Sequence, residues 1–270
     1  MKNVKINTII LSRLFCTNID RDCVALTNNA EEMLYYSKLA AITIAPSLKN
    51  QTDQNFEHVT IINDKANPQL MNDYSHIVRD AGLKTKLVPY SEYVDFIKDL
   101  HNSSDAICLS EMDLDDLVHN DAILLAKRAY VPGRLTVHGY QSGLRFDLRS
   151  NSCLEYIRDY KRNGHIRIMQ SFIFDKQTPF YEPYSIPHVY VLKTLQKNKD
   201  KFADKKLIKY GDLDCKFPFP YVYVKHARAS TSLKSKPTEV GRFPENFSFD
   251  DFRVCFGISP NELQKAYDTI

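Results

Sequence analysis

Apolar positions in the first half of the chain switch between two periods. Residues 5–11 (KINTIIL), 57–62 (EHVTII), 84–89 and 106–112 (AICLSEM) are short β-rich runs, and residues 30–45, 68–81 and 90–101 between them carry apolar side chains at helical spacing. Strand and helix in alternation predict a parallel sheet with crossover helices. Local signals agree with that division. Either Asn28 or Asn29 can cap the helix over 30–45, Pro46 suits the first turn of a further helix reaching Gln51, and Gly82 ends the helix over 68–81. The run 106–112 is expected to be a buried strand, because it lacks the polar alternation of a half-exposed one. It leads straight into Asp113-Leu114-Asp115-Asp116, and a helix over 120–130 then carries the chain away.

The second half is less regular. Strands are expected over 134–139 and 166–174, a Pro/Tyr-rich loop over 177–187, a helix from near His188, and a late strand over 221–224 (YVYV) that runs into Lys225-His226. The lysine-dense segment 193–209 reads as a solvated helix face and loop, with attraction to a membrane surface or an anionic glycan as the alternative. No repeat, low-complexity tract or linker marks a boundary. One α/β domain over 1–270, with halves 1–131 and 132–270, is the expected organisation.

Composition narrows the class of protein without naming an activity. The chain has 270 residues, 43% hydrophobic and 26% charged, which is enough to bury a full core. A net charge of +3 is too small to argue for a nucleic-acid partner, and none is expected, because duplex phosphates call for a strongly basic face. Cys16, Cys23, Cys108, Cys153, Cys215 and Cys255 include no CxxC pair, so reduced thiols and a cytoplasmic setting are expected. No apolar run has the length of a membrane span or the layout of a signal peptide. Trp is absent, which leaves Tyr and Phe to build any sugar-stacking platform.

The acidic cluster is where chemistry concentrates. Carboxylates two residues apart on an extended backbone project to one side, and the carboxyl end of a parallel strand is where open α/β sheets bind ligands. A hard divalent cation needs oxygen ligands of this kind, with coordination positions left over for phosphate oxygens and water. Isolated acidic triplets also serve as helix caps, and Asp115 or Asp116 could cap the helix over 120–130 instead.

The segment 109–122 (LSEMDLDDLVHNDA) resembles the strand and metal motif of GT-A glycosyltransferases, an Arg-x-Asp-x-Asp-Asp core followed by His and a helix. Asp113, Asp115, Asp116 and His119 fall on it. Upstream, residues 9–13 (IILSR) resemble the opening strand of the rhamnosyltransferase group, and residues 46–56 (PSLKNQTDQNF) with 57–64 resemble its Pro-Ser-Leu, Gln and Asp-Phe signature. The likeness covers the first half of the chain in matching order. It implies a GT-A-like, Rossmann-type fold with a mixed, mainly parallel sheet flanked by helices, and a nucleotide-sugar-binding half over 1–131 with an acceptor-binding half over 132–270. The activity implied is metal-dependent transfer of a sugar from a nucleotide-sugar donor to a glycan or glycolipid acceptor, in polysaccharide synthesis, with peripheral membrane association.

The resemblance also implies roles for single residues. Mn²⁺ or Mg²⁺ would be bound by Asp115 and by His226 in the run YVYVKHARASTS. Asp113 would face ribose or a metal-bound water, and Asp116 would either cap or orient the turn or touch the metal. Asp64, with Asn63 beside it, would meet the base or ribose, and Arg13 would lie near the nucleotide. Lys225, Arg228 and Ser230 would face phosphate. His188 competes with His226 for the metal. For the general base of an inverting reaction Asp175 has the best strand-end position, with Glu155 and Glu182 as alternatives. Two departures stand out: Glu111 occupies the place of the motif's Arg, and Ala227 the place of a common Gly. They keep a non-catalytic nucleotide-sugar or glycan-binding protein in play, and the acidic cluster alone would also suit a metal-dependent phosphohydrolase.

Overall fold

The computed structural model describes residues 4–15, 21–140, 142–157, 169–178, 180, 204–207, 219–228 and 248–270. Its first half follows the predicted alternation: β1 (Ile6–Leu14), α1 (Arg21–Thr27), α2 (Ala30–Ile42), α3 (Ile44–Lys49), β2 (Glu57–Ile62), α4 (Pro68–Asp80), β3 (Thr85–Pro89), α5 (Tyr93–Ser103) and β4 (Ala106–Glu111). A two-residue strand β5 (Leu117–Val118), α6 (Ala122–Arg128), β6 (Thr136–Gly139), β7 (Ser142–Asp147), β8 (Ser152–Ile157), β9 (Gln170–Asp175), β10 (Asp204–Leu207) and β11 (Tyr221–Lys225) follow. Two helices, α7 (Phe249–Phe256) and α8 (Pro260–Tyr267), close the chain.

Seven strands form a mixed sheet in the order β10-β6-β9-β4-β1-β2-β3. Only β9 runs against the rest, since it pairs antiparallel with both β4 and β6 while the other neighbours pair parallel. The mixed, mainly parallel sheet flanked by helices is therefore the observed fold class. A second sheet, β5-β11-β7-β8, carries the late strand. Its β7 and β8 were not anticipated, and neither were α7 and α8.

Apolar clusters fill both faces of the large sheet. Met71, Tyr74 and Val78 of α4 with Met33 and Ala40 of α2 pack on one side, and Tyr93 and Ile97 of α5 against Ile107 and Leu109 on the other. All six residues of β4 are buried, as expected of a central strand covered on both faces. A third cluster joins Val222 and Val224 of β11 to Phe252 and Phe256 of α7. Gly143 permits one close approach there, because a Cβ at that position would stand 2.5 Å from the Tyr221 ring.

Helix ends follow local chemistry. Asn29 accepts from the backbone of Glu31 and Glu32, and Asn67 from Gln69 with Pro68 in the first turn. Ser248 with Asp251, and Ser259 with Glu262, form complete capping boxes on α7 and α8. Gly257 ends α7 at φ +80°, where a side chain would also strike the Pro46 carbonyl. The helix predicted over 30–45 is broken at Thr43, whose hydroxyl bonds both Leu39 O and Leu114 O. The 193–209 reading is corrected in part: residues 204–207 form β10, an edge strand parallel to β6, instead of helix or loop. The rest of that segment, most of the Pro/Tyr-rich loop and the helix from His188 lie outside the described residues. Among the described residues, no helix is long and apolar enough to cross a membrane.

His58 on β2 gives the fold a measurable acid response. The ring is 1% exposed with Nε2 3.1 Å from Ser12 Oγ, and burial pushes its pKa down to about 3. Below about pH 6.5 the unfolded chain takes up a proton that the folded chain refuses, so stability falls as pH drops. His119, pushed down to about 4 chiefly by burial, acts in the same direction. Glu111, whose carboxyl burial raises to about 8, acts in the opposite direction, but the two histidines outweigh it, so urea midpoints measured between pH 6.5 and 4.5 should fall, and His58→Gln should flatten that slope by up to about 1.4 kcal/mol per pH unit. An unchanged slope in the variant would refute the assignment.

Candidate metal centre

The acidic turn is built by its neighbours. β4 delivers Met112 to Leu11 O at the end of β1, and the chain then turns through Asp113 to Asp116. Thr43 Oγ1 donates to Leu114 O at 2.7 Å, between the two outer carboxylates. Ser47 on α3 donates to Val118 O at 3.0 Å and accepts from Val118 N at 2.8 Å. Gln51 donates to His119 O and accepts from Ile123 N. From the other side, Asp116 Oδ1 accepts from Val224 N on β11 at 3.1 Å. The Ser and Gln of the Pro-Ser-Leu and Gln signature thus hold the turn from beneath.

Within this frame Asp113, Asp115 and Asp116 each place a carboxylate oxygen within 4.8 Å of the others. His226, just beyond β11, sets Nε2 3.1 Å from Asp115 Oδ2, with its side chain 1% exposed against 24% for Asp115. Ligand atoms at right angles on a small cation, each about 2.1–2.2 Å from it, lie about 3 Å apart, so this pair fits a divalent ion. Carboxylate oxygens plus one imidazole suit Mn²⁺ or Mg²⁺ better than a soft ion. Arg13 at the end of β1 lies 3.9 Å from Asp113, a long contact on a half-exposed rim.

Glu111 does not add a full charge to this cluster. Burial pushes its carboxyl up to about 8, with Arg13 opposing and Asp113 reinforcing the shift. It is therefore mostly neutral near pH 7. The acid in the place of the motif's Arg fills a buried position and leaves Arg13 as the nearby cation.

Other expected residues fall around this centre or away from it. Asn63 is buried at the end of β2 and donates to Phe15 O beside Arg13, whereas Asp64 is exposed and accepts from Ser91 N. Arg228 sits beside the site, over the Tyr35 ring at 4.5 Å, but commits its guanidinium to Glu31 and Glu32 at 2.6 Å each. Lys225 pairs in register with Asp147 and is buried near Arg145 and Arg149, where burial and those cations lower its pKa. His119 is held against Phe256, its Nδ1 accepting from Asp121 N.

Asp175 is not brought to the centre. It pairs with Ala106, the first residue of β4, and so stands about 20 Å of strand from the cluster at about 3.3 Å per residue. Its carboxylate accepts from Tyr130 Oη and from the backbone of Gly133 and Gln177, contacts that hold its pKa low. The strand ends at Asp175 as expected, but β9 runs antiparallel, which turns its carboxyl end to the far edge of the sheet. Nothing is described of the Glu155 side chain, and Glu182, His188 and Ser230 lie outside the described residues.

Two residues missed in the sequence complete the surroundings. Tyr35 and Tyr36 on α2 place their rings 5.6 and 5.8 Å from His226. Tyr35 Oη is 2.9 Å from His226 Nδ1, and Tyr36 Oη donates to Arg228 O. Burial raises the pKa of both phenols, that of Tyr36 to about 12. Adjacent tyrosines on one helix of a Trp-free chain were the available signal.

No protein-family model matches the sequence, and no curated protein matches it. Among solved structures, the WbbM bifunctional glycosyltransferase in its apo form is 13% identical over 52% of this chain and 23% of its own, with a TM-score of 0.28. A cytidylyltransferase from Leptospira borgpetersenii serovar Hardjo-bovis (strain JB197) is 14% identical over 99% of this chain and 95% of its own, TM-score 0.39. Mouse xyloside xylosyltransferase 1, apo form, is 10% identical over 52% of this chain and 53% of its own, TM-score 0.29. The chain thus spans about a quarter of the first and half of the third. Scores this low carry no argument about activity, which has to come from the residues themselves.

The clamp beneath the turn is open to direct test. Ser47→Ala removes both bonds to Val118 at a fully buried position and should cost about 1–3 kcal/mol in urea unfolding. A loss below about 0.5 kcal/mol, within the range of surface substitutions, would show that β5 is held without it.

Proposed function

We infer that this chain is a metal-dependent glycosyltransferase that moves a sugar from a nucleotide-sugar donor to a glycan acceptor. The observation that carries the reading is His226, delivered by a separate sheet to within 3.1 Å of Asp115. Asp115 and His226 would hold Mn²⁺ or Mg²⁺, with Asp113 on the open side toward Arg13. The bound cation would supply charge neutralisation for the diphosphate leaving group. Arg13 is placed to hydrogen-bond phosphate or base, and Asn63 with Asp64 to meet the nucleoside. Rhamnose is the donor sugar suggested by the sequence resemblance, and cell-surface or capsular polysaccharide synthesis the setting.

Asp116 serves this site indirectly, because Oδ1 is engaged by Val224 N. Asp113 is the more available carboxylate, with a side chain 47% exposed. The base for an inverting reaction is unassigned among the described residues. That gap, with Arg228 committed to two glutamates, favours as second reading a protein that binds a nucleotide-sugar without transferring the sugar.

A thermal-shift screen of UDP-, GDP-, CMP- and dTDP-sugars with and without Mn²⁺ should give one nucleotide series whose stabilisation requires the metal. Asp115→Asn should weaken Mn²⁺-dependent binding of that nucleotide by about 100-fold, about 2.8 kcal/mol, in calorimetric titration, and His226→Ala by less. Unchanged affinity in Asp115→Asn would sink the metal assignment. Metal-dependent binding without nucleotide release over a broad acceptor panel would favour the non-catalytic reading.

A further inference from the structure

His226 has a partner at each ring nitrogen, and only one of them is an acid. Nε2 lies 3.1 Å from Asp115 Oδ2 and Nδ1 lies 2.9 Å from Tyr35 Oη. A ring nitrogen can face a cation only through its lone pair, so the proton of the neutral ring must then sit on the other nitrogen. Nδ1–H requires an acceptor, and a tyrosine hydroxyl accepts when its own proton is directed elsewhere. The Tyr35 hydroxyl donates to Tyr267 Oη on α8 at 3.3 Å. Tyr267 Oη in turn accepts from the backbone N–H of Ala227, the neighbour of His226, at 2.9 Å. Ala227, Tyr267, Tyr35 and His226 therefore close a ring of hydrogen bonds. Its polarity leaves a Tyr35 lone pair for Nδ1–H.

We propose that Tyr35 and Tyr267 are positioning residues for His226, holding its ring plane and, when a cation is bound, its Nδ1 proton, so that the Nε2 lone pair is presented to that cation beside Asp115. The inference rests on the metal reading of Asp115 and His226. Tyr35 comes from the second helix of the chain and Tyr267 from the last, so the imidazole is aligned by elements on which the acidic motif says nothing. Hydroxyls behind a metal-binding histidine fix tautomer and orientation, and losing one costs about 10- to 100-fold in metal affinity.

The test separates positioning from metal binding. In ¹⁵N-histidine-labelled protein saturated with Mg²⁺, with His226 assigned by comparison with His226→Ala, long-range ¹H–¹⁵N spectra should show a proton on Nδ1 and none on Nε2. Tyr35→Phe keeps the ring and removes the acceptor, and should move that Nδ1–H resonance away from its hydrogen-bonded position. Mn²⁺ affinity from paramagnetic resonance titration should fall about 10- to 100-fold in Tyr35→Phe and less in Tyr267→Phe, with thermal melting confirming a folded chain in both. An unprotonated Nδ1 in the Mg²⁺-loaded wild type would overturn the proposal. So would a Tyr35→Phe variant with an unchanged Nδ1–H signal and affinity within about twofold. If the wild type binds no divalent cation at all, the metal reading fails, and the change or constancy of the metal-free His226 ring shifts on Tyr35→Phe still decides whether Tyr35 positions the ring.

Discussion

The site depends on a set of buried hydrogen bonds that hold the backbone of the acidic turn. Leu114 O, Val118 N and O, His119 O and Ile123 N are satisfied by three side chains, Thr43, Ser47 and Gln51, from the break and helix after α2. A buried backbone group left without a partner costs about 1–3 kcal/mol, so these contacts fix where the turn can lie. The helix interruption at Thr43 has a local cause in Pro46, which has no N–H to give Ile42 O, and it places the Thr43 hydroxyl between two helices within reach of Leu114 O.

That clamp offsets a standing repulsion. Three carboxylates with oxygens within 4.8 Å of one another favour an open turn, and Arg13 is too exposed and too distant at 3.9 Å to counter it alone. Neutral Glu111 avoids a fourth charge. Asp116 accepts a backbone N–H from Val224, and so turns one acid of the cluster into the tie that brings β11 and His226 to the other two. Repulsion that would otherwise scatter the turn is thereby stored in a form that a cation relieves.

Legibility in the sequence followed how local the cause was. β4 was readable because a strand buried on both faces writes itself as an apolar run, and all six of its residues are buried, whereas β3, at the sheet edge with Val88 alone buried, was readable from the Gly82 helix stop before it. α7 and α8 were missed although their capping boxes, Ser248 with Asp251 and Ser259 with Glu262, were present as letters. β5, with two residues, has no period to detect and exists because Ser47 and β11 pair with it. Asp175 illustrates the limit most clearly. Its strand end was legible, but strand direction is a property of pairing, and the antiparallel register with β4 sends it to the wrong edge.

The acids of the cluster also divide by depth in a way that their spelling hides. Side-chain exposure falls from 47% at Asp113 to 24% at Asp115, and Asp116 is buried at 1% overall. The backbone here is a turn, with Asp116 N donating to Asp113 O at 3.4 Å, and it leaves Asp113 and Asp115 partly exposed while Asp116 turns in toward β11. The outward pair meets Arg13 at one end and His226 at the other. A cation held at the His226 end would leave Asp113 and Arg13 facing the open side, where an anionic ligand has room to approach. The burial gradient, more than the number of acids, therefore gives the site its direction.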